Sequence, residues 1–294
     1  MKILLFGNTG QLGWELERTL APLGSVCAMD YPTGNLTKAD SLRALVRGAN
    51  PDVIINASAY TDVDRAESEQ NLAFAINEAG PRMLAEEAKS CHAAFIHYST
   101  DYVFDGAKGA PYSEEDVPNP LGVYGASKLA GERAVQQVGG TYIMLRTAWV
   151  YSLRRNSFVT KILKWARQQK ILKLVSDQVT NPTCARMLAE VTAQLLAMGG
   201  KHSFPYLTER VGLYHLAGSG FTSRLEWGKA ILELDCRKSE QLVETLLPAL
   251  TTEFPAPAQR PLFSALDCSK FSTAFGTKLP EWQNALKLAM QFSG

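Results

Sequence analysis

The stretch that decides the fold is Lys2-Ile-Leu-Leu-Phe6, then Gly7-Asn-Thr-Gly10-Gln11-Leu12-Gly13, then Trp14-Glu-Leu-Glu-Arg-Thr-Leu20. An apolar strand runs into three glycines spaced by three, and a helical pattern follows. Gly7 permits a sharp exit from the strand. Gly10 lets backbone approach a ligand, and Gly13 lets the new helix pack on its strand. The helix N-terminus then presents free N–H groups and a partial positive charge to a pyrophosphate. A tight strand-to-helix turn would also use glycine, but the flanking strand and helix are the context that a dinucleotide site requires.

Outward from that turn the first half alternates strand and helix. Strands are predicted at Lys2–Phe6, Ser25–Met29, Val53–Ala57, Phe95–Ser99 and Tyr142–Leu145, and helices at Gln11–Leu20, Ser41–Arg47, Asn71–Lys89 and Gly125–Gln137. Gly80-Pro81 predicts a kink or break inside the third helix. The rhythm implies an α/β fold: a Rossmann-like, doubly wound parallel sheet with a smaller C-terminal substrate-binding lobe. Residues 1–150, with a returning strand near 211–217, form the dinucleotide-binding domain. Residues 151–210 and 218–294 form the second lobe, with helices at Cys184–Met198, Arg224–Leu234 and Glu281–Phe292.

The chain has 294 residues, 46% hydrophobic and 20% charged, with a formal net charge of +1. That balance offers no field for nucleic acid or an anionic membrane, and no apolar run is long enough to cross a bilayer. The N-terminus leads straight into a strand, so no secretory leader is expected. The five cysteines and four histidines lack metal-ligand spacing, which implies reduced thiols, a cytoplasmic setting and no metal site.

Asp30 closes the second strand. A carboxylate there accepts from adenosine ribose hydroxyls and repels a 2′-phosphate, which favours NADH over NADPH; an ordinary strand-end turn would also suit it. Ala57, Ser58, Ala59 and Thr61 follow the third strand with small side chains, against which a cofactor or simply a helix can lie. Ser99-Thr100-Asp101-Tyr102 places hydroxyls at the carboxyl end of the fourth strand. Tyr124 and Lys128 stand at i and i+4 on the next helix, so phenol and ammonium can share a face. An adjacent ammonium stabilises the phenolate and sharpens the phenol as an acid.

In this order the motifs resemble the extended short-chain dehydrogenase/reductase family. Gly7, Gly10 and Gly13 match its glycine motif, and Thr100, Tyr124 and Lys128 its catalytic set. Tyr98-Ser-Thr-Asp-Tyr-Val-Phe-Asp-Gly106, Asn119-Pro-Leu-Gly-Val-Tyr-Gly-Ala-Ser-Lys-Leu-Ala-Gly-Glu132, Arg146-Thr-Ala-Trp-Val-Tyr151 and Asp177-Gln-Val-Thr-Asn-Pro-Thr183 resemble the members that reduce sugar nucleotides. The resemblance implies an NADPH or NADH cofactor held by the glycine turn, Gln11, Leu12, Asp30, residues 57–59, Tyr124 and Lys128. It implies a dTDP-linked 4-keto-6-deoxy sugar held by Thr61, Tyr102, Trp149, Asn181 and Arg260, with Arg260 on the diphosphate. Tyr124 would protonate the developing alkoxide, Lys128 would hold the ribose and acidify the phenol, and Thr100 would bond the carbonyl oxygen. Some relatives form dimers bridged by a metal between carboxylates on the first helix and on the helix after Asn-Pro-Thr. Here Glu15 faces an expected second position held by Arg186, so no bridging magnesium is expected, and a homodimer stays open. The other readings are a non-catalytic regulatory subunit on this fold, like that of methionine adenosyltransferase, and a related epimerase or dehydratase. The intact Thr100, Tyr124 and Lys128 argue against the first, and Tyr102 in place of a second acid argues against a dehydratase.

Overall fold

The structure, a computed structural model, describes residues 1–291, the side chain of Lys201 excepted. Six parallel strands form the central sheet: β1 (Lys2–Phe6), β2 (Ser25–Met29), β3 (Val53–Asn56), β4 (Ala94–Thr100), β5 (Tyr142–Thr147) and β6 (Gly212–His215). Their spatial order is β6-β5-β4-β3-β1-β2. β1, β3 and β4 are buried along nearly their whole length because helices cover both faces of the sheet. The chain leaves β1 toward β2 on one side and toward β3 on the other. The resulting switch point opens a crevice at the carboxyl ends of β1 and β3, where such sheets bind ligands.

The first half follows the predicted order closely. Helices α1 (Gln11–Leu20), α2 (Ala39–Ala49), α3 (Gly80–Ser90) and α4 (Val123–Val138) alternate with the strands. The break expected at Gly80-Pro81 is absent. The chain runs Gln70–Phe74 as α-helix, Ala75–Ala79 as a π-turn, and straight on into α3. The wider turn takes up Pro81, which has no N–H to give to an α-helical ladder. It also turns Asn77 inward. Its Oδ1 accepts from Tyr60 N (2.9 Å), and its Nδ2 donates to Tyr60 O and Ser127 Oγ (both 3.0 Å).

The second half holds α5 (Phe158–Ala166), α6 (Ala185–Gly199), α7 (Arg224–Leu234) and α8 (Trp282–Gln291). Phe292, the predicted end of the closing helix, lies outside the described residues. Strand Ile171–Val175 pairs in parallel with Thr245–Ala249, and α5, α7 and α8 enclose a separate core around Tyr151, Trp227 and Leu286. The division of the chain differs from the expected one. Leu188, Ala189, Leu195 and Leu196 of α6, with Leu207, Phe271 and Phe275, join the core beneath β1, β3 and β5. Much of 185–210, and the helix Ser269–Phe275, thus cover the sheet. On that face α1 contributes Leu16 and Leu20, and α6 packs beside it to complete the cover. Among the described residues, no helix is long and apolar enough to cross a membrane.

Candidate active site

A cavity of about 800 Å³ runs along the carboxyl edge of the sheet from Asp30 to Tyr124. Its walls include Gly7, Gly10, Gln11, Leu12, Asp30, Ala57, Ser58, Ala59 and Thr61, and at the far end Thr100, Tyr102, Tyr124, Lys128 and Trp149. The fold thus brings most of the residues singled out by sequence into one cleft.

At its first end, Gly7 has φ +89°, a conformation that costs other residues dearly. A Cβ on Gly13 would stand 2.0 Å from Gly7 O, so α1 and the turn can meet only through glycine. Gly10 caps α1 with extended backbone and no side-chain cap, and no acidic residue stands in the first turn. The first N–H groups of α1 are therefore left for an anion, which fits a dinucleotide pyrophosphate. Asp30 sits at the end of β2 and accepts from the Thr9 hydroxyl and from Tyr31 N (2.8 Å). Gln11 ties the turn to the second lobe, its Oε1 accepting from Ser152 N at 2.8 Å.

At the other end, Tyr124 lies in the first turn of α4 and Lys128 one turn further on. The Tyr124 and Tyr102 rings meet edge-on, with centroids 5.6 Å apart. Burial holds the Tyr124 phenol well above its ordinary value, and a hydrogen bond with Thr100 opposes the shift. The acidification expected from Lys128 is therefore not present in this geometry. The amine is itself buried, its pKa pushed down to about 8 by burial, with Glu132 opposing. Lys128 Nζ donates to Tyr98 O at 2.6 Å and lies 3.4 Å from His97 Nε2. Behind Thr100, buried Asp101 accepts from Thr100 Oγ1 (3.2 Å), Ser264 Oγ (2.6 Å) and Thr180 Oγ1 (3.3 Å). Burial outweighs those bonds and raises its pKa to about 6.

Three expected substrate residues come out differently. Asn181 is buried and does not line the cavity. Its Nδ2 donates to Gly218 O (3.1 Å) and Gly220 O (2.8 Å), and its Oδ1 accepts from Leu266 N (2.7 Å). It ties its own loop to Gly218–Gly220 and to Leu266, and it is not among the residues that line the cavity. Arg260 pairs with Asp64 at 2.7 Å and stands beside the Tyr102 hydroxyl rather than in the cavity wall. Trp149 does line the cavity, but it is also core. It adopts φ +35°, stacks on Trp227 at 5.3 Å and carries the Arg224 guanidinium 4.2 Å from its ring centre. Sequence reading missed Arg224, His97 and Asp101, and it missed Arg155, which brings a cation to the cavity from the second lobe. Only Asp101 carried a signal, its place in Ser-Thr-Asp-Tyr.

A second cavity, about 560 Å³, lies between α1, α6 and α8. There Arg186 pairs with Glu15 at 3.4 Å. α6 nonetheless carries a carboxylate in the same cavity, Glu190, one turn beyond Arg186. Burial foremost raises its pKa, with Arg186 opposing and Glu15 adding to the rise. Among the described residues, no three His, Cys, Asp or Glu side chains come together as a metal site would need.

A glycine turn, a Thr–Tyr–Lys set and a second lobe over one crevice narrow the chain to nucleotide-dependent enzymes, and comparison decides among these. The family model described as the RmlD substrate binding domain matches residues 1–293. The chain belongs to the RmlD family. A fellow member, the dTDP-4-dehydrorhamnose reductase of Shigella flexneri, is 40% identical over 98% of this chain and 96% of its own length. The solved structure of a dTDP-4-dehydrorhamnose reductase from Clostridium acetobutylicum superposes with a TM-score of 0.91 at 33% identity, covering 100% of this chain and 99% of the other. That from Bacillus anthracis, solved in complex with NADP, gives 0.89 at 30% identity over 99% and 98% of the two chains. The RmlD fold is therefore shared along the whole chain, cleft and second lobe included.

Proposed function

We propose that the chain reduces the C4 ketone of dTDP-4-dehydro-L-rhamnose to dTDP-L-rhamnose, with NADPH or NADH as reductant. One observation carries this reading: a single cleft begins at an uncapped helix N-terminus on a glycine turn and ends at Thr100, Tyr124 and Lys128. The names of the full-length relatives supply the sugar.

When bound, the reduced nicotinamide supplies hydride to the ketone carbon. The chain's own residues do the rest. The glycine turn and the N-terminus of α1 hold the pyrophosphate, and Asp30 accepts from the adenosine ribose, which gives NADH the advantage. Lys128 offers Nζ to the nicotinamide ribose. Tyr124 gives its phenolic proton to the oxygen that gains charge. Because burial keeps that proton on the phenol, transfer waits for a base as strong as a developing alkoxide. Thr100 turns its single O–H from Asp101 to that same oxygen. Thr61, Tyr102 and Trp149 line the sugar side, and Arg260 would exchange or share Asp64 to meet the diphosphate.

The test is loss of reduced-nicotinamide absorbance on dTDP-4-dehydro-L-rhamnose, with NADH and NADPH run side by side. Wild type should turn over, and Tyr124→Phe should lose about 10²–10⁴-fold in kcat while binding cofactor within a few-fold of wild type. No turnover by wild type with either cofactor refutes the reading. Full activity in Tyr124→Phe refutes the assigned acid.

A further inference from the structure

Tyr124 is the second residue of α4, and its place depends on how that helix starts. Gly122 caps the helix with extended backbone and no side-chain acceptor. An ordinary cap lends an oxygen of its own side chain to the first N–H groups. Here the oxygen comes from a distant segment: Glu67 Oε1 accepts from Val123 N at 2.9 Å. A Cβ on Gly122 would stand 2.6 Å from that oxygen and drive it off, so the glycine makes way for Glu67. The Glu67 side chain is half-buried and in no ion pair among the described residues. Its carboxylate is turned instead to the positive end of α4.

A second tie holds the other side of Tyr124 along the chain. Tyr124 O accepts from Ser127 Oγ at 2.8 Å, and Ser127 Oγ accepts in turn from Asn77 Nδ2 at 3.0 Å. The same Asn77 amide is bonded to Tyr60 N and Tyr60 O. Glu67 and Asn77 both belong to the stretch that follows Ala57, Ser58, Ala59 and Thr61 of the cavity wall. That stretch is itself fixed. Asp62 accepts from Arg65 N (3.1 Å), and Asp64 accepts from Ala258 N (3.3 Å) and Arg260 Nη2 (2.7 Å).

We propose that Glu67 is a positioning residue for the acid: by capping α4 from the stretch that follows the cofactor wall, it sets the Tyr124 phenol in register with the cleft. Glu67 acts through Val123 N and takes no part in the proton transfer. The inference deepens the proposed function and rests on its assignment of Tyr124 as the acid. Reach decides this role, and charge does not. Glu67→Gln keeps an oxygen at the same length and should serve. Glu67→Asp keeps the charge but is one methylene short of Val123 N and should not. A general attraction between a carboxylate and the helix end would rank the two variants the other way.

Two measurements on the whole protein test it. In amide hydrogen exchange, peptides covering residues 122–127 should exchange at the wild-type rate in Glu67→Gln and at least about fivefold faster in Glu67→Asp, with the turn between β1 and α1 unchanged in both. Equal exchange in all three proteins, or faster exchange in Glu67→Gln than in Glu67→Asp, overturns the proposal whether or not the sugar is a substrate. In turnover of dTDP-4-dehydro-L-rhamnose, Glu67→Asp should lose about tenfold or more in kcat, with KM and cofactor affinity within about threefold of wild type, and Glu67→Gln should keep kcat within about threefold. Asp267→Ala is the control for a cap lost elsewhere. Asp267 accepts from Ser269 N (2.8 Å) at the start of the helix Ser269–Phe275, and its loss should leave kcat unchanged. A kcat that falls as far in Glu67→Gln or in Asp267→Ala as in Glu67→Asp sinks the proposal. The expected exchange pattern without turnover by wild type would instead sink the proposed substrate and leave the capping role of Glu67 standing.

Discussion

Asp101 shows how a single carboxyl joins stability to chemistry. Its pKa in the folded chain stands at about 6 against 3.8 in water, so the folded state binds that proton more tightly than the unfolded chain does. The contribution to stability is full below about pH 4 and is lost as the pH rises through 6. Holding the group ionised at neutral pH costs about 3 kcal/mol. Asp101→Asn keeps a hydrogen-bonding group facing Ser264 and Thr180 without the charge. It should flatten the fall in stability between about pH 4 and 6 and gain about 1–2 kcal/mol at pH 7, read by denaturant unfolding at several pH values. The same change should lower kcat about tenfold or more, because the carboxylate that positions the Thr100 side chain is lost. A variant less stable than wild type at pH 7, with full kcat, would contradict both halves. At this scale the sequence was legible where spacing is local. Tyr124 and Lys128 share a helix, and Gly7, Gly10 and Gly13 share a turn. The direction of the Tyr124 pKa was not legible, because it follows from burial under Tyr102 and the second lobe.

Among elements, the turn between β1 and α1 leaves the least room. A Cβ at Gly13 would come 2.0 Å from Gly7 O and 2.6 Å from Gly7 C, and neither atom is a flexible side-chain end. Gly13→Ala must therefore lift α1 off the turn. We expect a loss of about 1–3 kcal/mol and at least about tenfold weaker cofactor binding, read by melting with and without NADPH. Gly48 is the control. It lies in α2 with nothing within 4 Å of the point where a methyl group would stand, so Gly48→Ala should stabilise by about 0.5–1 kcal/mol. If both variants melt alike, packing at the turn is not what the glycine spacing serves. Element identity was readable almost throughout the first half, since buried parallel strands and amphipathic helices leave different periods. The π-turn at Ala75–Ala79 was not readable, because Pro81 signals trouble for an α-helix without saying how the chain will resolve it.

Across the whole molecule, one of the residues that looked like a ligand ties loops of the second lobe to each other. Asn181→Ala would strand Gly218 O and Leu266 N in the interior, costing about 1–3 kcal/mol, with a lower melting temperature as the primary effect. Arg260→Ala removes a partly exposed pair with Asp64, worth little to stability, and should instead raise KM for the sugar nucleotide about tenfold or more. A pattern in which Asn181→Ala changes only KM, or Arg260→Ala changes only the melting temperature, would reverse the two assignments. The amino-acid sequence by itself determined the doubly wound sheet, the glycine turn and the phenol–lysine pair, since the first is written in the alternation of strand and helix periods and the other two in spacings shorter than one element. Tertiary structure alone decided that α6 covers the sheet, that Asn181 is a fastener, that Arg155 and Arg224 reach the cleft region, and that His97 meets Lys128. Those facts depend on burial and on contacts between segments far apart in the chain, and no local spacing carries either.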